Sequence, residues 1–343
     1  MTPLRRLLIL TVAVLLCAGA GTAMVLHAAS RAADRARPRA GGPAVTAGTV
    51  TLGQHGQLDF LSQTPGPHLD AIVSVPAADA PADPGTARTA SDVSCLRFYA
   101  AAGTGVCLQS APGALTQTNR ALILDARLHT LRSFPLAGTP SRARVSPSGH
   151  LAAWTVFVGG ESYGAAFFST RTSILDTRTW QLTPSLETFA ITLDGHGYRA
   201  ADTNFWGVSF AADDDTFYAT LGTGGRTYLV RGSLSRRTVT TLVQNVECPS
   251  LSPDGTRIAF KKRVLPGAAL WHEYVLDLGT LQETPLAEHR SVDDQATWLD
   301  NSTVAYSLPS NGSVSGSDLW TVPADGTGTP HLLLPGAFSP APQ

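Results

Sequence analysis

Two hydrophobic patterns divide the chain. From Leu7 to Leu26, twenty residues pass without a charge. As a helix this run is about 30 Å long, the thickness of the hydrocarbon core of a bilayer. Beyond residue 48 the apolar residues fall in short runs that alternate with polar ones and are broken by turn residues, the period of strands. Four of these segments superimpose: Ser146 to Trp154, Ser252 to Phe260, Trp298 to Tyr306 and, more loosely, Ala211 to Ala219. Each is a turn followed by a strand. In the second copy Pro253-Asp254-Gly255 presets the turn. Ile258 and Phe260 then fall on one face of the strand, with the small Ala259 on the other.

A second repeat follows each first one and reads as strand, short turn, strand. Its landmarks Asp125, Asp176, Arg231, Asp277 and Pro323 are 51, 55, 46 and 46 residues apart. Four-stranded blades recur every 40–50 residues or so, and such units bury their faces only by stacking around an axis. The run Ser252-Pro253-Asp254-Gly255-Thr256-Arg257-Ile258-Ala259-Phe260, followed by Tyr274-Val275-Leu276-Asp277, resembles the repeat of TolB-type β-propellers, and degenerate copies cover residues 94–343. Gly56 to Phe60 and Leu69 to Val75 supply strands of a weaker first blade. Gly336 to Pro340 resembles a first strand that would complete that blade and close the ring. The expectation is an all-β chain, a single propeller of about six four-stranded blades, with seven the alternative, preceded by a transmembrane helix. The resemblance implies a periplasmic or cell-surface scaffold that uses its channel mouth for a partner. It transfers no partner-contacting residue, because the shared motif is turn and strand sequence. TolB proteins also carry an extra N-terminal domain, where the stretch here reads only as a stalk.

Charge places the propeller outside the cell. Arg5 and Arg6 precede the apolar run, the usual cytoplasmic flank, although Arg31 to Arg39 follow it. The expected organisation is a basic cytoplasmic tip (1–6), a transmembrane signal-anchor (7–26), a flexible Ala/Arg/Pro/Gly-rich stalk (27–47) and the propeller (48–343). Small residues at Ala18, Ala20, Ala23 and Ala28 leave signal-peptide cleavage as the alternative, and both readings export the remainder. Cys17 follows Leu16, which a lipobox does not accommodate, and reads as a small hydrophobe of the helix. The first 40 residues hold six arginines against Asp34 alone, so the remainder carries 19 basic and 25 acidic groups. That balance repels a phosphate backbone and excludes nucleic acid as the expected partner. With 43% hydrophobic and 15% charged residues, the chain has ample material for a core.

Export also bears on the cysteines. Cys95 and Cys107 flank two short apolar runs around an Ala-Gly turn, and a hairpin there would allow a disulfide; two separate buried thiols are the alternative. Cys248 is expected to be buried and inert.

A search for catalytic chemistry yields no candidate. There is no Gly-x-Ser-x-Gly, and Gly312 to Gly316 puts Val314 where the nucleophile would stand. Gly222 to Gly225 lacks the context of a phosphate loop, and His272-Glu273 lacks the second histidine of a zinc helix. Asp213-Asp214-Asp215 and Asp293-Asp294 read as turns rather than calcium ligands. No catalytic, cofactor-binding or metal residue is therefore assigned, and no cofactor is expected. The insertion 157–169 and the stretch Arg199 to Trp206 lengthen one blade. Tyr163, Trp206, Trp271 and His272 fall near expected loops or strand ends, where aromatics can anchor partners. The competing reading, favoured by the way propellers pack, puts each ring between blades. The expected function is a non-catalytic extracytoplasmic scaffold that binds another envelope protein. Small-ligand sensing of a glycan or metabolite in the funnel is the alternative, and a propeller hydrolase or lyase a third.

Overall fold

The computed structural model describes residues 3–36, 42–80, 85–111, 118–165, 167–264, 270–310 and 316–343. An N-terminal helix, Pro3–Ala36, precedes six β-sheets arranged as the blades of a propeller. Of the helix, Pro3–His27 is long and apolar enough to cross a membrane, with a mean hydropathy of 2.3 and none of it buried against the rest of the chain. The helix continues into the expected stalk because His27 to Ala36 is rich in Ala and Arg, both good helix formers. The stalk's far end also differs from expectation, since Val45–Ala47 pairs in parallel with Arg88–Ser94 as the outermost strand of the first blade. Residues 37–41 of the stalk and Val314 lie outside the described residues.

Blades two, three, five and six are antiparallel four-stranded sheets. Their first strands are Arg97–Ala101, Thr139–Val145, Glu247–Leu251 and Thr297–Trp298. Blade four begins with Asn204–Phe210 and gains two strands from an added hairpin, Ala190–Leu193 and His196–Tyr198, which joins the outer strand Thr238–Gln244 in parallel. Ile191 and Tyr198 bring the hairpin's apolar side onto the core between blades three and four, which explains why it docks. Blade one closes the ring. Its inner strand is the C-terminal Ala337–Pro342, which pairs with Gln57–Ser62 as expected and leaves no free edge at the seam.

Each pair of neighbouring blades shares one apolar cluster. The period-two pattern sends alternate residues of a second strand to opposite neighbours: Ile258 and Phe260 pack toward blade four, Ala259 toward blade six. Likewise Leu58 and Phe60 face blade six while Leu61 faces blade two. Large rings on one side and small residues on the other let flat sheets fan around the axis. Full burial of such a side chain contributes about 1.5–3 kcal/mol, so stability is spread around the ring.

Cys95 and Cys107 form a disulfide with Cα atoms 5.4 Å apart. It ties the connection from blade one to the second strand of blade two, Thr104–Ala111, next to the Phe98↔Cys107 pair of the ladder.

Candidate functional site

The six inner strands run in the same sense around the axis, so the propeller has two distinct ends. At one end the inner strands begin. There Arg142 on the third blade lies 3.6 Å from Asp293, which precedes the sixth blade, and Asp293 is also bonded by the ammonium of Lys261. Burial alone would raise the Asp293 carboxyl, but Lys261 and Arg142 outweigh it and hold the group below the ordinary carboxylate range. Glu247 accepts from Trp271 Nε1 at 3.0 Å and from Arg263 Nη2 at 3.4 Å. Glu273 is fully buried, and desolvation, only partly offset by Lys261, pushes its carboxyl up to about 8.

Tyr163 sits in the middle of this network. Its hydroxyl shares a 2.6 Å hydrogen bond with Ser141 Oγ, and its ring stacks on Trp206 at 5.2 Å. Arg142 and Lys261 lie 5.0 and 4.9 Å from the ring centre. The insertion thus folds inward and lays Tyr163 against three blades at once. This corrects the partner-surface candidates: Tyr163, Trp206 and Trp271 are 2%, 1% and 2% exposed and form one buried cluster with Phe157 and Cys248. The rings also give the cations at this end favourable faces, with Lys261 4.2 Å from the Trp271 ring centre. His272 remains partly exposed, its ring 6.5 Å from that of His289, and the structure does not bring it into the cluster.

Cys248 is buried, and desolvation raises its thiol, as expected of an inert cysteine. Its backbone approaches that of blade four closely. Gly207 has φ +65°, and a Cβ there would lie 2.6 Å from Cys248 Cα. Only glycine fits this crossing of inner strands. Gln295 adds a further tie, donating to Val208 O at 3.1 Å and to Pro249 O at 2.8 Å.

At the opposite end, where the inner strands turn into the second ones, the blades splay into a funnel of about 740 Å³. The segment from the N-terminal helix joins the propeller at Val45, beside Arg88. Tyr99, Arg144, Tyr218, Arg231 and Trp298 are among the lining residues. The rim acids are held by their own turns. Asp213 accepts from the Asp215 and Thr216 amides at 3.1 and 2.8 Å, and Asp254 from Ser252 Oγ and the Thr256 amide at 2.6 and 3.0 Å. These bonds keep both carboxyls below the ordinary range. Asp214, between Asp213 and Asp215 in the triplet, bonds Ser148 and His150 across the blade boundary at 2.5 and 2.8 Å. The triplet is therefore a turn with its oxygens engaged.

Arg144 forms part of the funnel floor. Its Nη2 donates to Ala296 O at 3.0 Å, and its guanidinium stacks over Tyr99 at 4.3 Å. Sequence reasoning missed this residue along with Tyr99, Tyr218 and Arg142. One signal was present. Ser141-Arg142-Ala143-Arg144 puts two arginines two apart in a strand whose neighbours are apolar, so both point to the same side, toward the axis.

No protein-family model matches the chain, and no curated protein matches it in sequence. Its similarity is to solved propellers. TolB from Acinetobacter baumannii aligns with a TM-score of 0.55 at 17% identity, over 83% of this chain and 66% of that one. A puromycin-hydrolyzing peptidase from Mycobacterium tuberculosis aligns with a TM-score of 0.50 at 13% identity, over 83% of this chain and 46% of the peptidase. Identities this low speak to fold alone. With six blades and a ring closed by its C-terminal strand, the chain is a six-bladed β-propeller that shares the fold of TolB.

Proposed function

We propose that the chain is a non-catalytic binding propeller, exported and held at the membrane by its N-terminal helix, that takes up a segment of another envelope protein in its funnel. The observation that carries this reading is the contrast between the two ends. At the Tyr163 end the ends of Arg142 and Lys261 are engaged by Asp293 and that of Arg263 by Glu247, which Trp271 also bonds, and Glu273 is buried beside them, so this end is closed. At the other end an open funnel of about 740 Å³ has the half-buried Tyr99 and the exposed Arg231 on its wall, with Arg144, Tyr218 and Trp298 packed behind them, the aromatic and arginine character of binding hot spots. The unfavourable exposure of an apolar helix, with Leu4, Met24 and Val25 all more than two-thirds exposed, supports the membrane as its surroundings.

A second reading has its own support. The funnel volume and its mixed polar and aromatic lining also suit a small ligand such as a glycan.

Affinity capture with the full chain tests the proposal. The tagged protein is purified in detergent and presented to solubilised membranes of the source cells, beside an Arg231→Ala variant on the exposed funnel wall and an outer-surface control, Leu131→Ala. A saturable envelope protein lost with Arg231→Ala and kept with Leu131→Ala is the expected result. A partner kept by both variants would remove the funnel from the account. Capture of no protein, with a soluble metabolite or glycan protecting the protein against heat, would favour the second reading.

A further inference from the structure

We propose that Arg144 forms a carboxylate-binding site in the floor of the funnel, so that the segment bound there presents an acidic side chain or a C-terminal carboxylate to its guanidinium. This rests on the reading of the funnel as the binding site and adds the chemistry of what it holds.

Arg144 is only 5% exposed, yet among the described residues no carboxylate lies within ion-pair distance of it. Its polar partners are neutral: Ala296 O at 3.0 Å, Thr297 Oγ1 at 3.4 Å and Ser250 Oγ at 3.5 Å. Nε, buried, has no hydrogen-bond partner. Arg97, on the neighbouring inner strand, likewise bonds only carbonyls, Ser141 O at 2.6 Å and Leu96 O at 2.9 Å, and the Nε of Arg142 and of Arg88 is also buried without a partner, but other cations near the axis meet carboxylates. Arg142 and Lys261 share Asp293, and Arg263 meets Glu247. Arg88, buried as deeply, is committed to the carbonyls of Pro335 and Gly336 at the ring closure. A guanidinium taken out of water without a counter-charge is costly, and an anion that reaches it recovers that cost. The place where such an anion can arrive is the funnel, whose wall Arg144 shares with Tyr99 and Ser250.

The same surroundings select the anion. The rim acids Asp213 and Asp254 remain ionised in their turns and line the same cavity, so a phosphate dianion would meet two like charges on entry. Beyond residue 40 the chain carries six more acidic than basic groups, which adds to that repulsion. A carboxylate brings one charge and matches the planar guanidinium fork. The half-buried Tyr99 borders the same wall and offers apolar contact to the peptide around the carboxylate.

The test uses the full chain in detergent, immobilised, and a pool of random short peptides prepared with both free-acid and amide C-termini. A charge-assisted hydrogen bond in such a site favours the charged ligand by about tenfold to a hundredfold. The expected result is that Asp, Glu or a free C-terminus is enriched in the retained peptides over Asn, Gln or the amide by at least tenfold or so. The two sets of comparisons tell a side-chain carboxylate from a terminal one. Arg144→Gln should retain peptides without that preference, and Arg144→Lys should keep part of it. If Arg144→Gln does not fold, excess acetate against acetamide on the native protein replaces it: acetate alone should release the acidic peptides. Retention without any carboxylate preference overturns the site while leaving the funnel as the binding place. Retention of no peptide overturns both.

Discussion

Asp59 should make the protein less stable as the pH rises from about 4 to about 7, and Asp59→Asn should abolish the effect. Asp59 lies in Gln57–Ser62, paired with Ser74 on one side and Ala341 of the closing strand on the other. It is fully buried, and neither carboxylate oxygen has a hydrogen-bond partner. Burial therefore pushes its carboxyl from 3.8 to about 7. The Ser74 hydroxyl pulls in the opposite direction but is itself turned to Gln57 Oε1 at 3.1 Å, so desolvation dominates. The unfolded chain releases this proton near 3.8, whereas the folded one holds it to about 7. Between those values the folded state binds more protons, so the unfolding free energy falls with rising pH and levels off above about 7. At 1.36 kcal/mol per unit, the full loss is on the order of 4 kcal/mol. Asparagine keeps the shape of the protonated acid without the charge. Urea unfolding followed by tryptophan fluorescence should find Asp59→Asn close to the parent at a pH near 4 and more stable by about 2–4 kcal/mol near pH 8. Equal differences at both pH values, or a variant less stable at pH 8, would refute the reasoning. Taking the difference between variant and parent cancels the other titrating groups.

Other parts of the scaffold should respond in ways that are as specific. Reduction of Cys95–Cys107, or its replacement by alanines, should lower stability by about 3 kcal/mol for a loop of this size, read as a shift of the urea midpoint between oxidised and reduced samples. Gly207→Ala should cost more than about 2 kcal/mol, because its Cβ would meet Cys248 Cα at 2.6 Å and its φ is +65°; an unchanged thermal midpoint would contradict that. Arg88→Met should loosen the ring seam by removing the bonds to Pro335 and Gly336, and hydrogen exchange in Ala337–Pro342 should rise before that in blades three to five.

The repeats were legible because each blade must bury both faces against neighbours, and that demand writes itself as period two beside a turn. Ile258, Ala259 and Phe260 show it directly, split between two interblade clusters as their alternation requires. The closing strand was legible for the same reason. The axis was not. Arg142 and Asp293 are 151 residues apart, and no local pattern announces that inner strands of different blades converge there. Tyr163, Trp206 and Trp271 sat at loop or strand ends in sequence, and the inward fold of the insertion buried them. The hairpin Ala190–Leu193 and His196–Tyr198 escaped notice because its strands are too short to show a period. Past His27 the helix continues on propensity alone, where composition suggested a loose stalk.

The central claim is that the funnel end is the working surface. It is tested most directly by a photo-reactive amino acid placed in living cells at Arg231 on the funnel wall, and in parallel at Leu131, which is 52% exposed on the outer rim of blade two. Position 231 should give one defined cross-linked envelope protein and position 131 none. The same adduct from both positions, or an adduct from 131 alone, would contradict it.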